Sequence, residues 1–167
     1  MNDIDEQQQL PSQDASADAQ TSELSPLEEE GEIAADYIEE LLDTADIDGD
    51  IDIEVRDGRT YVSVVAEDGD DSPLRELVGE NGETVEALQE LARLSVLSAT
   101  QRRSRLILDI AGHRDERASE LREMAQDAVA KVESEGGSVH LPPLSPYERK
   151  IVHDAVADAG LVSESEG

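Results

Sequence analysis

The chain has 167 residues, enough for one medium domain or two small ones, and carries 42 acidic against 13 basic side chains for a net charge of -29. The absence of cysteine excludes disulfides, thiolate zinc sites and thiol nucleophiles. With no Phe, no Trp and three Tyr, base stacking is expected to be a small part of any nucleic-acid contact, and the core is expected from Leu, Ile, Val and Ala. The N-terminus, MNDIDEQQQL, has neither a basic nor an apolar leader region. No apolar run approaches the roughly 18–20 residues that span a bilayer, so the expectation is a soluble, cytoplasmic protein without stable membrane insertion.

Charge is distributed unevenly. Residues 1–58 hold 20 acids and one base, Arg56, whereas residues 93–122 hold seven arginines against four acids. An acidic protein of this kind can still present a locally basic face. Residues 1–25 are expected to be a disordered acidic tail, because Gln, Asp, Ser and Ala bury too little apolar surface to offset chain entropy.

Ser25-Pro26-Leu27-Glu28 reads as a helix start, with Ser at the N-cap, Pro at N1 and Glu at N3. Ile33, Ala34, Tyr37, Ile38, Leu41 and Leu42 then follow a 3.6-residue period, and the helix is expected to end near Asp43. The acids of 46–57 resemble a calcium loop, but Ile51 and Asp57 stand where an EF-hand needs Gly and Glu. A strand is the better reading, with Ile51, Ile53 and Val55 inward. Asp57-Gly58 predicts a two-residue hairpin turn into a second strand, Arg59 to Ala66.

Ser72-Pro73 opens a short helix to Val78, and Gly79-Glu80-Asn81-Gly82 forms a turn before a longer helix over Glu83 to Leu97. Two glycines three apart allow close backbone approach, and the N–H groups of the following helix start suit a phosphate. That helix is expected to bury Val85, Leu88, Leu91 and Ala92, with Leu94 and Leu97 at a neighbouring edge. A strand is expected over Ser104 to Ile110, then a long charged helix over His113 to Glu135 with a narrow apolar stripe. A short strand is expected at Val139 to Leu141. Ser145-Pro146-Tyr147-Glu148 repeats the helix-start signature of residue 25. On the last helix Arg149 and His153 stand four apart and share a face, with Lys150 adjacent.

The predicted order α-β-β-α-GxxG-α-β, with Leu77-Val78-Gly79-Glu80-Asn81-Gly82 leading into Glu86-Ala87-Leu88-Gln89-Glu90-Leu91, resembles a type II KH domain. The run Ser145 to His153 resembles the Arg-xxx-His motif of a small single-stranded nucleic-acid-binding module. The two in this order are similar to the bacterial Jag (SpoIIIJ-associated) family. The resemblance implies an α/β (α+β) chain with a KH-like domain at 26–112 and an Arg-xxx-His module at 113–167. The family's further C-terminal strand and its small N-terminal domain are expected to be absent here. It also implies a cytoplasmic regulator that binds single-stranded RNA, is linked to cell-envelope growth and is often partnered with a small second KH protein.

The residues expected to contact RNA are Gly79, Glu80, Asn81 and Gly82 at the turn, Arg149, Lys150 and His153 on the last helix, and Arg102, Arg103 and Arg105 beyond the long KH helix. Val62, Val64 and Leu88 are expected to offer an apolar floor for bases. Protonation of His153 would add charge below its unperturbed pKa of about 6.5. The middle of the turn, usually basic in the family, is Glu80-Asn81, and a carboxylate beside a phosphate costs about 1 kcal/mol when solvent-screened. No catalytic group, metal or cofactor is expected: His113, His140 and His153 lack a metal-ligand spacing. The alternative function is a protein–protein adaptor with a degenerate KH domain and little RNA affinity of its own.

Overall fold

The computed structural model describes residues 24–166, so the tail expected at 1–25 lies almost wholly outside the described residues. Helix α1 (Pro26–Ala45) starts where the sequence indicates. Ser25 Oγ accepts from the Glu28 N–H at 3.3 Å, and the Glu28 carboxylate accepts from the Ser25 N–H at 2.8 Å. The helix runs two residues past its expected end, to a left-handed Asp46 at φ 56°. It buries Ala34, Ile38 and Leu42.

Strands β1 (Asp50–Arg56) and β2 (Arg59–Val65) pair antiparallel across Asp57 and Gly58, both of which adopt positive φ. That is the backbone a two-residue turn needs if it is to match strand twist. Val55, expected inward, is 41% exposed, because it stands near the hairpin end beyond the reach of the helices. The buried Thr60 hydroxyl donates to Leu27 O at 2.8 Å and also lies 3.2 Å from the Glu30 carboxylate, which ties α1 to the sheet.

Helix α2 (Ser72–Glu76), a single 3₁₀ turn (Glu80–Gly82) and helix α3 (Glu83–Thr100) then carry the chain to β3 (Ile107–Ile110). The strand β3 lies parallel to β2, giving the sheet order β1-β2-β3. β3 is shorter than expected, since residues 104–106 make no ladder and Ser104 Oγ instead accepts from the Leu106 N–H at 3.0 Å.

The first core joins Ile38 of α1, Val62 and Val64 of β2, Val85, Ala92 and Val96 of α3, and Leu108 and Ile110 of β3. Leu91 and Leu94, expected to be buried, are 45% and 56% exposed. The buried stripe of α3 follows 85, 88, 92 and 96, and at 100° per residue Leu94 falls about 180° from Val85. Periodicity had several leucines to choose from, and packing selected the narrower stripe.

Helix α4 (His113–Glu135) begins after a tight turn in which Ala111 and Gly112 both take positive φ. Helix α5 (Pro146–Asp158) repeats the capping box, with Ser145 and Glu148 exchanging both bonds. The two helices share a second apolar cluster of Leu121, Ala125, Val152 and Val156, flanked by Val129, Leu141, Leu144 and Leu161. The strand expected at Val139 to Leu141 does not form. Val139 and Leu141 instead line an open groove of about 470 Å³ against Met124 and Ala128 of α4, with no neighbouring strand among the described residues to complete a ladder.

Leu121 is the largest fully buried member of this second cluster. Leu121→Ala is expected to cost about 2–5 kcal/mol, read as a shift of the urea midpoint, with loss of the α4–α5 packing preceding that of the sheet.

Candidate nucleic-acid interface

The turn between α2 and α3 owes its shape to backbone geometry. Gly79, Asn81 and Gly82 have φ of 75°, 52° and 81°. A Cβ on Gly79 would strike the Thr84 side chain and its backbone nitrogen, and one on Gly82 would strike the His113 imidazole. Each glycine is therefore demanded by local packing. The first N–H groups of α3 are also committed: Thr84 and Val85 both donate to Val78 O at 3.1 Å, Glu83 donates to Glu80 O and Gly82 to Gly79 O at 3.4 Å. The expectation that the helix start itself offers unpaired donors is thus corrected. The Glu80 and Asn81 N–H groups at the tip are the ones without a bond among the described residues.

The apolar floor expected from Val62, Val64 and Leu88 is also corrected. These side chains are 0%, 1% and 7% exposed, consumed by the first core, and cannot receive a base. Arg102, Arg103 and Arg105 lie beyond the far end of α3, an 18-residue helix about 27 Å long, so the structure does not bring them to the turn. Arg102 is paired with Glu29 of α1, while Arg103 and Arg105 are exposed and make no ion pair among the described residues.

On α5 the ordinary ion-pair partners are taken by other residues. Glu148 belongs to Arg117, and Asp154 belongs to Lys150 at 2.6 Å. That commits Lys150 to its own helix and leaves Arg149 exposed without an ion pair among the described residues. His153 is half-buried, and the segment after α5 folds back on it. Ser163 Oγ meets Nδ1, and Ser165 Oγ lies 3.1 Å from Nε2. A hydroxyl can donate or accept, so both ring nitrogens are satisfied in either tautomer. Those serines, which sequence reasoning left out, orient the ring; no periodic pattern or charge marks them.

The first two turns of α4 were also passed over as part of a charged helix. Asp109 Oδ1 accepts from the Arg114 N–H at 3.1 Å, and Glu116 forms a double bond with Arg75 of α2 at 2.8 and 3.0 Å. The Arg75 guanidinium holds the exposed Glu116 carboxyl below the usual range. Arg117 reaches Glu148 at 2.7 Å, and Arg114 lies over the Tyr147 ring at 4.3 Å. Between these groups and the turn is a cleft of about 100 Å³, whose walls include Asn81, Val85, Gln89, His113, Arg114 and Tyr147.

Burial alone would push the Glu148 carboxyl up. The Ser145 N–H and the Arg117 guanidinium outweigh it and hold the group below its ordinary value. Its contribution to stability is therefore present above the unfolded value, near 4.5, and is lost as pH falls through the lower folded one.

Residues 119–167 match the family model of the domain named for its Arg-xxx-His motif, and the matched stretch contains both Arg149 and His153. The chain is 32% identical over 135 residues to the RNA-binding protein KhpB of Clostridium symbiosum, covering 80% of this chain and 60% of that protein. It is 30% identical over 121 residues to the RNA-binding protein KhpB of Lactiplantibacillus plantarum, covering 72% and 35% respectively. A third protein of that name, from Streptococcus pneumoniae serotype 2, is 32% identical over 92 residues, 54% of this chain and 28% of that one. The chain thus spans less than two thirds of the length of each of these relatives.

Two measurements test this account. Thermal melts between pH 7 and pH 3 are expected to show a stability loss below about pH 4.5 that Glu148→Gln reduces, at the expense of lower stability at pH 7. Gly82→Ala is expected to destabilise the fold by more than about 1 kcal/mol, through the left-handed φ and the His113 contact, whereas Glu80→Lys leaves the melting temperature unchanged.

Proposed function

We propose, from the likeness to the KhpB proteins and the match to the Arg-xxx-His domain, that this chain binds single-stranded RNA. The observation that carries the reading is the α5 face on which Arg149 stands exposed and unpaired among the described residues, one turn from His153. An arginine so disposed offers up to five N–H donors to a phosphate or sugar edge, and an oriented imidazole beside it adds a second, directional contact. We read residues 26–112 as a type II KH domain and 113–167 as an Arg-xxx-His module. In this reading the tip N–H groups of Glu80 and Asn81 approach the RNA backbone, with Gly79 and Gly82 shaping the turn.

Arg103 and Arg105 would serve a distant segment of the strand, and Arg102 and Lys150 would first have to leave Glu29 and Asp154. The setting is cytoplasmic, the role post-transcriptional and linked to envelope growth, and a small second KH protein is the expected partner. No enzymatic step is assigned. No helix among the described residues is long and apolar enough to cross a membrane.

An adaptor reading has one observation in its favour. Leu91 and Leu94 expose apolar surface on α3, and Glu80 and Glu83 stand at the turn where a phosphate would bind. Salt separates the two readings, because RNA contact releases counterions and a Leu-based contact does not.

The test is fluorescence anisotropy of a labelled random-sequence single-stranded RNA at two salt concentrations, with Arg149→Ala/His153→Ala in parallel. Affinity is expected to fall with salt with a log–log slope of about -0.7 per phosphate contacted. The double variant is expected to bind about tenfold more weakly with its fold intact, each lost charged hydrogen bond being worth about 1.5 kcal/mol before overlap between the two is allowed for. A folded wild-type chain with no affinity at low salt would overturn the RNA reading and leave the adaptor.

A further inference from the structure

We propose that the cleft between the Gly79–Gly82 turn and the start of α5 holds one base of a single-stranded RNA, with Tyr147 as its stacking surface and Arg114 holding the adjoining phosphate. The inference rests on the RNA reading above and adds a second contact to it, on a different flank of α5.

Composition argued against aromatic stacking, since the chain has only three tyrosines. Their positions alter that conclusion. Tyr37 packs against the first core, and Tyr61 lies on the sheet beneath Arg56 at 4.0 Å. Tyr147 is 46% exposed and stands at the rim of a cleft that also reaches Asn81 of the turn. An aromatic ring presented to solvent beside a glycine turn is the surface on which an unpaired base stacks.

The chemistry around it suits a nucleotide. Val85 and Leu108 supply the apolar part of the lining. Gln89 Oε1 accepts from the Leu108 N–H at 3.1 Å, which turns its amide NH₂ group away from that bond and makes it available as a donor to a base edge. Arg114 covers one face of Tyr147 and makes no ion pair among the described residues. A guanidinium stacked on a ring keeps its in-plane N–H groups for a phosphate. Two carboxylates also line the cleft. Glu148 is neutralised by Arg117 at 2.7 Å, and Glu86 is the remaining negative charge. Arg114 and His113 face it from α4.

Tyr147 and Arg149 are two residues apart, about 200° around α5. The base site and the Arg149–His153 face therefore lie on opposite flanks, and a single strand engaging both would cross the N-terminal end of α5. Contacts on separate flanks contribute independently, so their losses multiply.

The experiment titrates a fluorescein-labelled random-sequence single-stranded RNA into the full chain carrying Tyr147→Ala, Tyr147→Leu, Tyr147→Phe or Arg114→Gln, at low and moderate salt. Thermal melts accompany each variant, and Tyr147→Leu keeps apolar bulk at the position if Tyr147→Ala unfolds. Tyr147→Leu is expected to weaken binding about tenfold with the salt slope unchanged, as stacking requires, and Tyr147→Phe to bind like the wild type. Arg114→Gln is expected to lower the slope by about 0.7. RNA carrying 4-thiouridine is expected to photocrosslink to the segment containing Tyr147. If the wild type binds and Tyr147→Leu binds equally well, or the crosslink maps only to other segments, the base site is overturned and the RNA reading stands. If the folded wild type binds no RNA at low salt, both fall.

Discussion

The contact between Arg117 and Glu148 governs how the second half of the molecule is arranged. Their side chains are 16% and 12% exposed, so the pair is shielded in a way that the other ion pairs of the described residues are not. Glu148 also closes the capping box of α5 through the Ser145 N–H. One carboxylate thus ends the unpaired donors of a helix start and fixes the angle at which that helix meets α4. A shielded ion pair adds little net stability after desolvation, while breaking it leaves a charge without a partner. Its consequence here is orientation. The apolar contact of Leu121, Ala125, Val152 and Val156 is small and would tolerate sliding. The ion pair removes that freedom, and with it sets where Tyr147, Arg149 and His153 stand.

A second constraint runs through the whole chain. With a net charge of -29, most arginines meet a carboxylate. Arg75, Arg93, Arg102 and Arg117 all do so, each in a defined ion pair. Such pairing removes cationic groups from any role toward a phosphate unless the pair opens. Arg114 and Arg149 escape it near α5, the first by lying on an aromatic ring and the second because its neighbouring acids are bound elsewhere. In a strongly acidic protein, a basic face is made less by adding positive charges than by keeping a few of them unpaired.

The glycines of the 79–82 turn show how one residue pattern can answer to two demands. Their positive φ and the closeness of Thr84 and His113 suffice to require glycine without any ligand. The same compactness draws the turn against the start of α4, and so brings Asn81 to a cleft that also includes Tyr147. Close packing and a ligand contact are therefore not competing explanations at this turn: the first creates the setting for the second.

Local signals in the sequence determined the elements. The two Ser-Pro-x-Glu starts, the Asp57-Gly58 hairpin, the glycine turn and the Arg149–His153 spacing each act over a few residues, through capping, backbone sterics or helix period, and each appears where those rules put it. Tertiary structure decided what lay between elements. It chose Val96 over Leu91 and Leu94 because only one stripe of α3 can face the sheet. It left residues 139–141 without a strand because a ladder needs a neighbour. It withdrew Val62, Val64 and Leu88 from any ligand by burying them. Above all, it brought together His113, Arg114, Tyr147 and the turn, and laid Ser163 and Ser165 on His153. Asn81 and Tyr147 are 66 positions apart in the chain and share no local pattern, so only packing could show that they meet in one cleft.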